Sequence, residues 1–92
     1  MLMPDMVPRR REGVLAQHVM DKVVLLDPAN GQYYALDEVS GRIWELCDGE
    51  HSVAELSSVI SREFDAPAEV ITADVLELLD DLAGEQLLVA GR

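Results

Sequence analysis

Ninety-two residues are enough for one small domain, and a hydrophobic fraction of 49% is too high for a disordered chain. Aromatics make up 4%, so the core has to be built mainly from Leu, Val, Ile and Ala. Seven Lys and Arg against eighteen Asp and Glu give a net charge of −11, an average field that repels nucleic-acid phosphates and anionic lipid and favours cationic peptides.

The charge is unevenly placed. Arg9, Arg10, Arg11 and Lys22 lie at the front, and all but three of the acids (Asp5, Glu12 and Asp21) lie behind them. Met1 to Glu12 holds Pro4, Pro8 and the basic triplet, and reads as a flexible arm ahead of a single domain over residues 13–92. Its apolar start is broken by Pro4 and Asp5, so no signal-peptide core is expected. No apolar run approaches the roughly 18–20 residues that cross a bilayer. Cys47 is the lone cysteine, which excludes an internal disulfide and fits a reducing compartment. The expectation is a cytoplasmic protein with no membrane and no nucleic-acid partner.

Three short strand-like runs follow the arm. Val14 to Met20 alternates weakly, and Lys22 to Leu26 is β-branched and apolar. Asp27-Pro28-Ala29-Asn30-Gly31 signals a turn into Gln32-Tyr33-Tyr34-Ala35-Leu36, which makes an antiparallel hairpin. The third run is then an edge strand unless something covers it.

Helix signals take over at Asp37, a candidate N-cap. Val39, Ile43, Leu46 and Cys47 share a face, and Asp48-Gly49 supplies the stop. Ser52 and Glu55 form a capping box before the stripe Val53, Leu56, Ile60 and Phe64. Pro67 opens a third helix whose apolar stripe is Ile71, Val75, Leu78, Leu79 and Leu82. Gly84 is the expected end, and Leu87-Leu88-Val89 can pack back as a strand. The fold class is α+β: a winged helix-turn-helix-like arrangement, a three-stranded antiparallel sheet followed by three helices.

The stretch VVLLDPANGQYYALDEVSGRIWELCDGEHSVAELSSVISREFDAP together with VITADVLELLDDL resembles the PqqD family, over about residues 13–89. These are small proteins of pyrroloquinoline quinone biosynthesis and of related peptide-modification clusters, lasso-peptide clusters included. GQYYAL is closer to the lasso-type members, and LCDGE and FDAP to the quinone type. Many relatives carry a glycine directly before the apolar tail, where this chain has Gln86. The resemblance implies a recognition element for ribosomally made precursor peptides. It implies that a leader segment adds a strand beside the third strand and lies in a groove against the third helix. The implied partners are that precursor peptide and a separate modifying enzyme or leader peptidase, with no cofactor.

Carried onto these residues, one wall of the groove is Gln32, Tyr33, Tyr34, Ala35 and Leu36. An edge strand offers unpaired N–H and C=O groups to an extended peptide. If Leu36 points to the core, Tyr34 and Gln32 share its face, and Tyr33 and Ala35 face the other way. The other wall is the helix stripe Val70, Asp74, Glu77 and Asp81, with an apolar patch from Val70 and Ala73. Such a groove suits an apolar anchor beside a Lys or Arg.

Each feature has a plainer explanation. A strand tyrosine can simply pack the sheet, and an acidic stripe is commonly a solvated helix face. Cys47 reads as a small core residue and Trp44 as a shield at the core edge. His18 and His51 lack partners at metal-ligand spacing. No Ser/His/Asp or Cys/His set can be assembled, which argues against a small enzyme. A winged-helix DNA-binding regulator would need basic or amide side chains on its third helix, and residues 66–85 contain six acids and no Lys or Arg. A structural subunit of a larger synthase differs from an adaptor in having no affinity for a free precursor.

Overall fold

The computed structural model describes residues 5–91, in the order β1 (Val7–Arg10), β2 (Leu15–Val19), β3 (Lys22–Asp27), β4 (Gln32–Leu36), α1 (Glu38–Leu46), α2 (Val53–Glu63), α3 (Ala68–Gly84) and β5 (Leu88–Gly91). Strands β2, β3 and β4 form an antiparallel sheet in that order, with Val23 opposite Leu36, Leu25 opposite Tyr34 and Leu26 opposite Tyr33. Alternation along β3 turns Val23, Leu25 and Asp27 inward, where all three are buried. The hairpin closes around Asp27: its carbonyl accepts from Gly31 N–H at 2.8 Å, and its carboxylate accepts from Ala29 N–H at 3.0 Å. Gly31 takes φ +71°, a conformation that costs glycine little.

The helices begin where their caps are. Asp37 accepts from Ser40 N–H at 2.8 Å, and Ser52 and Glu55 make the reciprocal box at 3.1 and 2.8 Å. Their apolar stripes meet in one core that includes Ile43, Leu56, Ile60, Val75, Leu79 and Leu87. Trp44 belongs to that core at 2% exposure; the expected role as an edge shield is corrected, because α1 lies with this residue turned under the sheet. Gly41 makes the approach possible: a Cβ there would stand 2.6 Å from Val23 Cγ2, inside contact distance. Arg42 forks onto both Glu63 oxygens at 2.8 Å and clamps α1 to the end of α2.

Two helices are closed by a left-handed residue other than glycine. After α2, Asp65 takes φ +51° and Ala66 N–H donates to Ser61 C=O at 3.2 Å. After α3, Gln86 takes φ +62°, Gln86 N–H donates to Ala83 C=O at 3.0 Å and Leu87 N–H to Leu82 C=O at 2.9 Å. This is the Schellman closure, with the buried pair Leu82 and Leu87 as its apolar contact. A side chain at the left-handed position costs roughly 1–2 kcal/mol, and glycine loses part of that gain through its freer unfolded chain.

The N-terminal segment is not loose where the structure describes it. β1 pairs antiparallel with β5, Val7 opposite Gly91 and Arg10 opposite Leu88. Its other side serves the α1–α2 connection: Gly49 N–H donates to Pro8 C=O, Arg10 N–H to Cys47 C=O and Val53 N–H to Met6 C=O. Unpaired backbone on both sides draws the segment in, since buried N–H and C=O groups need partners. Pro8, which has no N–H to lose, is fully buried. Two of the three basic residues of the triplet are held by the fold, while Arg9 is exposed. Arg10 Nη1 donates to the Trp44 and Glu45 carbonyls at 3.2 and 2.7 Å, a cation at the α1 C-terminus, and Arg11 pairs with buried Asp27 at 2.7 Å. Among the described residues no helix is long and apolar enough to cross a membrane.

Two outcomes are expected. Gln86→Gly should stabilise the fold by up to about 1 kcal/mol, read as a higher urea midpoint with no change in fold; a lower midpoint would mean that the left-handed turn carries no strain. The second concerns pH. The Arg11 hydrogen bond holds the Asp27 carboxyl below the usual carboxylate range, against the opposing effect of burial. The unfolded value is about 3.9, so the pair's stabilisation is complete above that pH and is lost as pH falls through the lower folded value. Arg11→Met should therefore lower the urea midpoint at neutral pH, and its gap from the parent should narrow in strong acid. A gap constant across pH would show that only the alkyl stem of Arg11 matters.

Candidate peptide-binding site

β4 is paired on one side only. Its outer edge meets no other strand among the described residues, so alternate N–H and C=O groups of Gln32–Leu36 face outward. Leu36 is buried against the core, and Tyr34 lies half-buried on the same side. The Tyr34 hydroxyl is 3.0 Å from Glu85 Oε1 and 2.9 Å from Gln32 Oε1, which ties the middle of β4 to the end of α3. Burial pushes the Tyr34 phenol above its ordinary pKa, and the Glu85 carboxylate adds to it.

Where β4 ends, an open groove of about 480 Å³ begins. Its apolar lining is Val39 and Ile43 from α1, Phe64 and Ala66 beyond α2, and Ile71 and Leu78 from α3. Its polar lining is Asp37, Ser40, Asp74, Glu77 and Asp81, with no Lys or Arg. Asp37 does double duty, since its carboxylate also caps α1. Carboxylates over an apolar floor favour an apolar side chain accompanied by a cation.

Of the residues expected from sequence, the groove gathers Asp74, Glu77 and Asp81, while Gln32, Tyr33, Tyr34, Ala35 and Leu36 form the adjoining edge strand. Val70 and Ala73 do not line it. Val70 is 53% exposed at the start of α3, and Ala73, about 100° round the helix from Asp74, is exposed. Tyr33 is 70% exposed on the far face of the sheet. The floor residues Ile43, Ile71 and Leu78 escaped the sequence reading because they sit in ordinary core stripes. Leu78 stands at the margin of its stripe, beside Asp74 and Asp81, and that was the available signal.

The remaining reactive side chains have structural partners. The Cys47 thiol is buried, 3.2 Å from Ile43 C=O, and burial pushes its pKa up to about 12, so the thiolate is scarce at neutral pH. His18 Nε2 is 2.8 Å from Glu45, joining β2 to α1, and His51 Nδ1 is 3.0 Å from Asp48. No three metal-ligating side chains cluster among the described residues.

Comparison with known proteins places this geometry. Residues 22–88 match the family model described as coenzyme PQQ synthesis protein D. A PqqA binding protein of Xanthomonas euvesicatoria pv. vesicatoria is 39% identical over 83 residues, 88% of each chain. Two solved structures share the fold. TbiB1 in complex with the TbiA(β) leader peptide has a TM-score of 0.79 and 31% identity, covering 87% of this chain and 93% of that one. The PqqD truncation of Methylobacterium extorquens PqqCD, a stand-alone recognition element for ribosomally synthesised and post-translationally modified peptides, has a TM-score of 0.81 and 28% identity, covering 97% and 95%. With most of its length matched in sequence and in fold, the chain belongs to the PqqD family.

Proposed function

We propose that this chain is a non-catalytic adaptor that captures the leader segment of a ribosomally made precursor peptide by strand addition at β4. It then presents that peptide to a separate modifying enzyme or leader peptidase. The observation that carries this is the unpaired edge of β4 opening onto an apolar-floored groove rimmed by carboxylates. The relatives agree in kind: one is named for binding PqqA, and another is held in complex with a leader peptide.

The energetics assign separate tasks to edge and groove. Each backbone hydrogen bond contributes about 0.5–1.5 kcal/mol net. Four or five of them fall short of the roughly 8 kcal/mol that micromolar binding requires, before the cost of ordering the peptide. The edge therefore sets direction and register, and side chains seated in the groove supply most of the affinity. Holding precursor and enzyme on one scaffold raises the effective concentration of the segment to be modified.

The Asp74 and Glu77 carboxylates oppose phosphate contact along α3, and Arg10 and Arg11 are held in the fold, so a DNA-binding reading finds no support.

The test is a fluorescence-polarisation titration with labelled PqqA from Xanthomonas campestris. The parent chain should bind it. Leu78→Arg, which places a bulky cation on the groove floor, should weaken binding by about tenfold or more while circular dichroism shows the fold retained. Undiminished affinity in a folded Leu78→Arg variant would rule out the groove.

A further inference from the structure

The outer face of the sheet, turned away from the helices, is arranged in rows. Leu15, Leu26 and Tyr33 stand opposite one another across three strands, and Gln17, Val24 and Ala35 form the next row. The first row is apolar throughout and stops at the free edge on Tyr33, which is 70% exposed. Between the rows lies a shallow hollow of about 330 Å³ lined by Leu15, Gln17, Val24, Leu26 and Tyr33. Ala35 is the edge residue beside it, and its small side chain leaves the way in from the edge open.

The charge on this face differs from the rest of the molecule. In a chain of net charge −11, the outward positions of these strands carry no carboxylate, and Lys22 is their one charged residue. The groove on the other side of β4 is rimmed by Asp37, Asp74, Glu77 and Asp81. Side chains of an added strand alternate between the two sides, and facing residues on neighbouring strands stand close enough to pack.

We propose that the segment captured at β4 is read on both of its faces. Every second residue enters the acid-rimmed groove, where apolar and cationic side chains fit. The residues between them pack on Tyr33 and reach over Ala35 into the hollow, where a large uncharged side chain fits and a charged one is desolvated without a partner. The preferred ligand is thus an extended peptide that alternates apolar or basic residues with large uncharged ones. The inference rests on capture at β4 and adds a second specificity surface to it.

The test uses the full chain and two labelled synthetic decapeptides. In the reference peptide, Leu and Lys take turns at the odd positions and Tyr occupies the even ones; in the second, the even Tyr residues are replaced by Ser. The reference should bind the parent chain about tenfold tighter than the Ser peptide, and Tyr33→Ser should erase most of that difference while the fold persists. Equal preference in Tyr33→Ser and the parent would overturn two-faced reading. Leu78→Arg separates the two levels: if it weakens the reference peptide while Tyr33→Ser does nothing, capture stands and the outer surface falls. If neither variant matters, or no peptide binds, both fall. Concentration-dependent dimerisation that Tyr33→Ser abolishes without affecting either peptide would instead assign the face to a second copy, and would overturn the proposal.

Discussion

Backbone hydrogen-bonding groups have to be paired, and this chain pairs its strand edges unequally. The segment Val7–Arg10 satisfies β5 on one side and the α1–α2 connection on the other. Among the described residues β4 has no such partner, and its outer edge stays open near the end of α3. An open edge is ordinarily an aggregation hazard, and natural sheets blunt it with charge, bulges or covering segments. Here the strand is short and stands next to an acidic helix. The surrounding negative field selects against other acidic chains, copies of itself included, and leaves the edge accessible to cationic segments.

Charge is segregated by the fold as well as by the sequence. Arg10 is spent on the C-terminal carbonyls of α1, and Arg11 on buried Asp27. Neither of these cations lines the groove, and the carboxylates of α3 face solvent without a basic neighbour in their slot. The core is correspondingly apolar, with Asp27 and Ser57 its buried polar residues and both hydrogen-bonded.

Much of this was legible before any coordinates. Caps at Asp37 and Ser52, the Asp27–Gly31 turn and the periodic stripes of three helices carry strong local chemistry, and the elements lie where those signals put them. β1 was not legible, because its pairing is wholly long-range and Pro8 and the two arginines of the strand erase any alternating pattern. The groove was legible on its charged rim and not on its floor. Asp74, Glu77 and Asp81 stand out on an exposed stripe, whereas Ile71 and Leu78 look the same in sequence whether they seal a core or line a slot. Leu78 rather than Val70 is the apolar contact: Leu78 lines the groove, and Val70, at the start of α3, is exposed.

The β1–β5 ribbon has a consequence for how such a domain is used. Val7 sits directly opposite Gly91, so the polypeptide enters and leaves the folded body at one point. A module with neighbouring ends can be spliced into, or hung from, a larger protein without stretching either, and it tolerates circular permutation for the same reason. That junction lies on a different sheet from β4, so a fusion partner attached there adds nothing to the sheet that carries the open edge.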